Sequence, residues 1–349
     1  MNQLYFGSLF QSRSPLRLIK LLMQTTLISV LTFAAVISTQ AQDPDDVLKV
    51  ETALVQLNVG VVDSRGQVIR SLSKSDFTVY EDGVKQPILN FEPTEAPFSL
   101  VLLLDMSGST VNFRPQLKQA VGRFLDALSP DDRVAVVQFN QKVKKLSGFT
   151  NDMAKTAYAI QIAEGAGETN LYDALRYALK ELETEGKRRK AVVLLTDGID
   201  TGVRKSDSAL ASKAETDAAA VAAIDPKASS ELNQVLSGAH RLGVTIYPLA
   251  LPSGDPKRIA LPTPVQTAVY AAARTRLQSL ADRTGGRLNE IQRLDQMARL
   301  YAEVAADLRS LYSVAYRGAP GRDGKWREIR IEVTQPELIA RTRPGYFAR

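Results

Sequence analysis

Apolar and polar residues alternate along residues 46–92, which is the pattern of strands with one buried face. Four apolar residues are separated from one another by single polar or small ones: Val55, Leu57, Val59, Val61. Phe77 to Tyr80 predicts a second short strand, and Asp82-Gly83 predicts a tight hairpin turn into a strand from Val84 to Phe91. We therefore expect 46–92 to form an N-terminal β segment.

Residues 97–311 follow a different pattern, in which apolar strands alternate with helices. Ser99 to Leu104 and Ala191 to Leu195 are almost wholly apolar, as expected for parallel strands buried on both faces. Helices are predicted at 116–128, 152–163, 171–185, 232–242, 276–283 and 294–311, and further strands at 133–139, 143–145, 244–250 and 287–291. This alternation predicts an α/β fold with a doubly wound, mostly parallel, Rossmann-like sheet and right-handed crossovers.

Two stretches of this region lie outside the alternation. Residues 206–230 are rich in Ala, Ser, Asp and Lys and contain no aromatic residue, so we interpret them as an insertion, either helical or mobile. Residues 252–264 are rich in proline and predict a surface loop.

Residues 312–347 return to a β pattern, with strands predicted at 312–316, 326–333 and 340–343. Segments as short as this one and 46–92 cannot each bury a core, and the chain has no cysteine to staple them. We therefore expect the two flanks to pair into one smaller β-rich domain, with the α/β domain at 97–311 inserted between them.

Residues 1–41 have the pattern of a secretory signal peptide. Three basic residues and no acidic one precede the apolar stretch: Arg13, Arg17, Lys20. Leu21 to Ile37 is largely apolar, and Thr39-Gln40-Ala41 places small residues at positions −3 and −1 of a cleavage site. We expect cleavage after Ala41 and a periplasmic or extracellular protein. The alternative is an uncleaved membrane anchor, because the apolar stretch is nearly long enough to span a bilayer.

The composition excludes several kinds of site. The absence of cysteine excludes disulfides, thiolate zinc sites and cysteine nucleophiles, and a single histidine disfavours His-rich zinc sites and a Ser-His-Asp triad. We interpret that histidine, His240, as a helix-surface residue without a catalytic role. The expected signal peptide, 1–41, contains three basic residues and no acidic one, so its removal reduces the net charge from +6 to +3. We therefore expect no nucleic-acid partner, and we interpret the basic run at 187–190 as a solvated helix end.

Oxygen-bearing side chains follow both of the most apolar strands. Asp105, Ser107 and Ser109 come directly after the first, and Asp197 follows the second. The carboxyl ends of parallel strands meet at the edge where open α/β sheets bind ligands. Hydroxyl and carboxylate oxygens suit hard divalent cations such as Mg²⁺, Ca²⁺ or Mn²⁺. The sequence therefore predicts a cation site at this edge.

The order Asp105-x-Ser107-x-Ser109, then Thr169, then Asp197 resembles the metal-ion-dependent adhesion site of von Willebrand factor A (VWA) domains. The resemblance covers about residues 97–311. It implies that Ser107, Ser109 and sometimes Thr169 contact the metal directly, whereas Asp105 and Asp197 act through waters. Phe77 to Gln86, 323–327 and 343–346 resemble the flanks of the bacterial exported VWFA-related domain proteins, a set with no general activity to transfer.

Three functions are consistent with such a site. The first is a protein-binding (adhesion or scaffold) protein whose cation, expected to be Mg²⁺ with Mn²⁺ or Ca²⁺ as alternatives, accepts an Asp or Glu from a protein partner. The second is a hydrolase or phosphotransferase with Asp105 as nucleophile, but the related haloacid dehalogenase-like loop has a second Asp where this chain has Ser107. The third is an envelope-complex subunit with a structural metal. We expect the first function, no enzyme, and membrane attachment only through an uncleaved anchor.

Overall fold

The computed structural model describes residues 54–94, 96–186, 188–319 and 323–348. The expected signal peptide, 1–41, lies outside these residues. A six-stranded sheet forms the centre of the α/β region, in the order β10-β9-β8-β5-β6-β7. Its strands are β5 (Phe98–Asp105), β6 (Arg133–Phe139), β7 (Val143–Thr150), β8 (Arg189–Thr196), β9 (Val244–Ala250) and β10 (Asn289–Glu290). All neighbouring strands are parallel except β7, which runs antiparallel to β6. The predicted α/β fold is therefore confirmed.

Helices cover both faces of this sheet. They are α1 (Arg114–Asp126), α2 (Met153–Gln161), α3 (Leu171–Glu183), α4 (Thr201–Ala211), α5 (Asp217–Ala222), α6 (Ser230–Leu242), α7 (Pro264–Thr284) and α8 (Met297–Leu308). Side chains of β5 alternate between the two faces. Leu100 and Leu102 lie with α1, α2 and α8 in one core, while Val101 and Leu103 lie with α3, α6 and α7 in the other. Both cores are thus built on the central strand, which explains its unbroken apolar run from Leu100 to Leu104.

The segment predicted as an insertion, 206–230, is helical. It contains the end of α4, all of α5 and a short 3₁₀ turn at Pro226–Ala228. Its small buried residues, including Ala211 and Ala220, pack against Ala268 and Ala272 of α7. Because of this packing α7 begins at Pro264, well before the helix start predicted at residue 276.

The two β flanks lie in the same pair of antiparallel sheets. The first sheet has the order β13-β1-β11-β4 and the second β14-β12-β2-β3. These strands are β1 (Leu54–Val62), β2 (Phe77–Glu81), β3 (Val84–Gln86), β4 (Ile88–Glu92), β11 (Leu311–Arg317), β12 (Trp326–Val333), β13 (Ile339–Arg341) and β14 (Gly345–Phe347). One hydrophobic cluster joins side chains of both flanks: Leu57, Val59, Val61, Tyr316, Ile329, Ile331.

The hairpin between β2 and β3 has the predicted turn at Asp82-Gly83, where both residues have positive φ, 48° and 79°. The strand predicted from Val84 to Phe91 is wrong as a single element. It is interrupted at Pro87, which cannot donate to a ladder, and the chain then moves from the second sheet to the first.

Two interpretations of charged residues are also wrong. In the basic run, Arg189 and Lys190 belong to β8 and are buried, and Arg189 donates to the carbonyl of Leu311 at 2.6 Å. This part of the run therefore ties the central sheet to the start of β11.

His240 is only 6% exposed, and its Nε2 lies 2.6 Å from the carbonyl oxygen of Arg283. Burial lowers the pKa of His240 to about 3, so the ring is neutral at physiological pH.

None of the helices in the described residues is long and apolar enough to cross a lipid bilayer.

Candidate metal centre

The two aspartates of the predicted site lie at the carboxyl ends of adjacent strands. Asp105 is the last residue of β5, and Asp197 directly follows β8. The strands are paired in register up to Leu104 and Leu195, so they end side by side. Both aspartates are buried, with exposed fractions of 0% and 1%.

Hydrogen bonds fix the orientation of the loop that follows β5. The Asp105 carboxylate accepts from the Ser107 N–H at 3.0 Å and from the Thr196 hydroxyl at 2.7 Å. The hydroxyl oxygens of Ser107 and Ser109 lie 3.2 Å apart. The loop therefore presents two hydroxyls beside a carboxylate that is held in place by its own backbone and by the neighbouring strand.

A third loop reaches the same edge through backbone hydrogen bonds. The Gly108 N–H donates to the Gly167 carbonyl at 3.0 Å. The Thr169 N–H donates to the Thr201 hydroxyl, and the Thr169 carbonyl accepts from the Thr201 N–H, both at 2.9 Å. Neither contact uses the Thr169 hydroxyl, which remains available to a ligand. The three loops that carry the predicted ligands are thus connected to one another.

The site concentrates negative charge in a buried environment. Burial raises the pKa of Asp105, and the nearby charge of Asp197 raises it further. Burial also raises the pKa of Asp197, and a hydrogen bond with Ser109 offsets part of that increase. In the described part of the chain neither carboxylate forms an ion pair, although the charges of Arg274 and Arg204 lower the pKa of Asp197. A bound cation would compensate the remaining negative charge.

Residues 99–247 match the family model described as the von Willebrand factor type A domain. This segment is a VWA domain. The match ends within β9, but the fold continues beyond it, because β10 pairs with β9 and α8 packs in the same core as α1.

Three mammalian proteins are similar to part of this chain. The human voltage-dependent calcium channel subunit alpha-2/delta-2 is 32% identical over 115 residues, which are 30% of this chain and 10% of that protein. The mouse and rat proteins of the same name match to the same extent. This chain matches about a tenth of the length of these relatives.

Several solved structures are also similar. A von Willebrand factor type A protein from Catenulispora acidiphila is 12% identical, with a TM-score of 0.45, covering 85% of this chain and 74% of that one. An aerotolerance-related membrane protein from Bacteroides fragilis is 13% identical, with a TM-score of 0.43, covering 60% and 98%. Proximal thread matrix protein 1 from the mussel byssus, solved with a zinc-occupied MIDAS motif, is 18% identical, with a TM-score of 0.43, covering 64% and 48%.

Two arginines hold the loops of the candidate metal centre, and neither is indicated by the sequence pattern. Arg114 of α1 donates to the carbonyls of Met106 and Ser107 at 2.8 and 2.9 Å. Arg274 of α7 donates to the Asp197 carbonyl at 2.6 Å. Both bind main-chain oxygens, so they fix the course of the loops without hydrogen-bonding the side chains of the predicted ligands.

Gly198 is required by the loop after β8. Its φ is +83°, and a Cβ at this position would lie 2.7 Å from a side-chain carbon of Leu277. Only glycine fits both the conformation and the space. The close approach of α7 to Gly198 therefore determines the position of the neighbouring Asp197.

The five predicted residues suit a hard cation. They provide two carboxylates and three hydroxyls, with no sulfur or imidazole. No three His, Cys, Asp or Glu side chains converge anywhere in the described residues, so a cation here would depend on the hydroxyls of Ser107, Ser109 and Thr169. Metal binding by these residues stays a prediction.

Proposed function

We propose that this chain binds a divalent cation through Asp105, Ser107, Ser109, Thr169 and Asp197, with Mg²⁺ expected and Mn²⁺ or Ca²⁺ as alternatives. The observation that carries the proposal is the pair of adjacent, fully buried carboxylates without an ion-pair partner in the described residues. Burying two like charges is costly unless a positive charge neutralises them, and a divalent cation provides it.

In this proposal each residue has a defined task. Ser107 and Ser109, with Thr169 in some states, contribute neutral hydroxyl oxygens directly to the cation, and Asp105 and Asp197 hold its waters. Neutral direct ligands leave most of the positive charge on the cation uncompensated, which favours an anionic ligand at the open position. We infer that an Asp or Glu of a protein partner fills that position, so the chain acts as an adhesion or scaffold protein.

We infer no catalytic role for Asp105. The position two residues after it is Ser107, which cannot act as the general acid that a phosphotransferase loop requires.

We also propose that the protein is exported and that its signal peptide is removed, which rests on the pattern of residues 1–41. Mass spectrometry of the native protein should find Gln42 as the first residue. An intact Met1 in a soluble cytoplasmic fraction would contradict export.

Thermal unfolding with added cations tests the metal site. A ligand that binds only the folded state stabilises it by RT ln(1 + [L]/Kd), about 2.7 kcal/mol at a hundredfold excess over Kd. Mg²⁺, Mn²⁺ or Ca²⁺ at millimolar concentration should raise the melting temperature, and EDTA should reverse the rise. Asp105→Ala should abolish the response, whereas Asp295→Ala, at an exposed aspartate with a side chain 62% exposed, should retain it. A wild-type protein whose melting temperature rises with none of the three cations would contradict the proposal.

A further inference from the structure

A cleft of about 540 Å³ lies beside the candidate metal centre. Asn170, which directly follows Thr169, lines it. Asp200 and Gly202 also line it, and they flank Thr201, the residue that hydrogen-bonds Thr169. A polypeptide bound at the metal would therefore pass the mouth of this cleft.

The insertion at 206–230 builds the outer wall of the cleft. It contributes these lining residues: Ser206, Asp207, Leu210, Ile224, Asp225, Ala228, Ser229, Ser230. The opposite wall comes from α3, which begins right after Asn170. The insertion therefore shapes the surface next to the candidate metal centre.

The lining of the cleft is strongly acidic. Five carboxylates and two arginines line it, an excess of three negative charges: Asp173, Asp200, Asp207, Asp225, Glu231, Arg176, Arg276. Both terminal nitrogens of Arg276 donate to Asp207, at 2.6 and 2.8 Å, and Arg176 bonds Asp173 and Glu231, each at 2.6 Å. Asp200 and Asp225 accept backbone N–H hydrogen bonds as helix caps but form no ion pair in the described residues, so the lining keeps a net negative charge that attracts a cation.

The Tyr172 hydroxyl is a second and independent sign of a ligand. Tyr172 is 2% exposed and lines the cleft, and its hydroxyl forms no hydrogen bond within the described residues. This hydroxyl is not fully buried, so it faces the cleft and is open to a hydrogen-bonding ligand. A donor inside the cleft, such as an ammonium or guanidinium N–H, would satisfy it.

We propose that this cleft binds a Lys or Arg side chain of the protein partner. The carboxylates and the Tyr172 hydroxyl would hold the charged end. Apolar residues of the walls, Val203, Leu210 and Ile224, would cover the alkyl stem. The inference that this Lys or Arg side chain belongs to the same partner that binds the metal rests on the proposed function. The affinity of the cleft for a Lys or Arg side chain does not depend on that function.

The test uses N-acetylarginine amide and its neutral counterpart of the same shape, N-acetylcitrulline amide, titrated into the intact protein and followed by ligand-observed NMR. We expect a Kd of roughly millimolar order for the arginine derivative and binding about tenfold weaker for citrulline, the loss of one charge-assisted hydrogen bond. Tyr172→Phe and Asp225→Asn should each weaken arginine binding about fivefold on the same basis. Asn retains the helix-capping capacity of Asp225, and Tyr158→Phe, at a tyrosine 67% exposed on α2, is the matched control.

Equal binding of arginine and citrulline derivatives, or binding unchanged in both variants, would overturn the proposal. If Tyr172→Phe lowers the melting temperature, its weaker binding could reflect a destabilised fold. The arginine affinity of Asp225→Asn then tests the proposal alone. The titration is run in EDTA and repeated with Mg²⁺. Arginine binding in EDTA without stabilisation by any divalent cation would refute the metal site and support the cleft. Stabilisation by a divalent cation without arginine binding would refute the cleft alone.

Discussion

Asp105 accepts hydrogen bonds from the Ser107 N–H and the Thr196 hydroxyl, so its orientation is fixed by the fold. Asp197 likewise accepts from the Ile199 N–H at 3.0 Å. Preorganised ligands of this kind lose little conformational freedom when a cation binds. At the scale of single residues, the site is therefore a buried, ordered pair of carboxylates whose mutual repulsion favours cation binding.

Arg274 should affect cation affinity although it is not a predicted ligand. Besides Asp197 it bonds the carbonyl of Leu251, and its guanidinium stacks on Tyr270 at 4.5 Å. Arg274→Lys keeps the charge but cannot make both bonds, so the loop should loosen and cation affinity should fall about tenfold, the value of one hydrogen bond to a charged group. Calorimetric titration of the variant with a divalent cation measures this affinity. Arg299→Lys, on the exposed side of α8, is the control, and unchanged affinity in Arg274→Lys would contradict the role.

The sequence could predict part of the site for a local reason. Asp105, Ser107, Ser109 and Asp197 directly follow apolar runs, so their place at the sheet edge is visible in the chain itself. Thr169 precedes a helix and was found only through the family resemblance. Arg114 and Arg274 bind main-chain carbonyls through contacts that depend on tertiary packing, and no spacing in the sequence indicates them.

At the scale of elements, apolar runs on the central sheet were predicted well and helix starts less well. Strands β5 and β8 differ from the predicted runs by a few residues, because burial on both faces leaves an unmistakable pattern. The start of α7 was missed because its first half packs with small alanines against the insertion, which gives little amphipathic signal. The break at Pro87 was missed because the residues on both sides have strand character.

At the scale of the whole molecule, the first and last β segments lie together although the VWA domain separates them in sequence. β1 pairs with β11 from Leu54 with Arg317 to Gly60 with Leu311, and β2 pairs with β12 from Glu81 with Ile329 to Phe77 with Val333. The buried Glu81 accepts from the Tyr316 hydroxyl at 2.6 Å. The short length of the two flanks predicts such pairing, whereas the polar contact at Glu81 has no signature in the sequence.

Deleting residues 312–349 should therefore leave 54–92 without pairing partners. Limited proteolysis should then cleave this segment quickly and spare 97–311, because β1 and β2 would lose their ladders and the shared apolar cluster. The full chain is the reference. If 54–92 stays as resistant as in the full chain, the two flanks do not depend on each other.

The most direct measurement of the central claim is a Mn²⁺ titration of the intact protein, followed by electron paramagnetic resonance of the free ion. The proposed site requires that each chain remove one Mn²⁺ from solution and that excess Mg²⁺ release it. Asp105→Asn preserves the size of the side chain but removes its charge, so it should bind no Mn²⁺ in the same range while keeping the wild-type fold by circular dichroism. Wild-type protein that leaves all Mn²⁺ free, or an Asp105→Asn variant that binds it as tightly as wild type, would contradict the account.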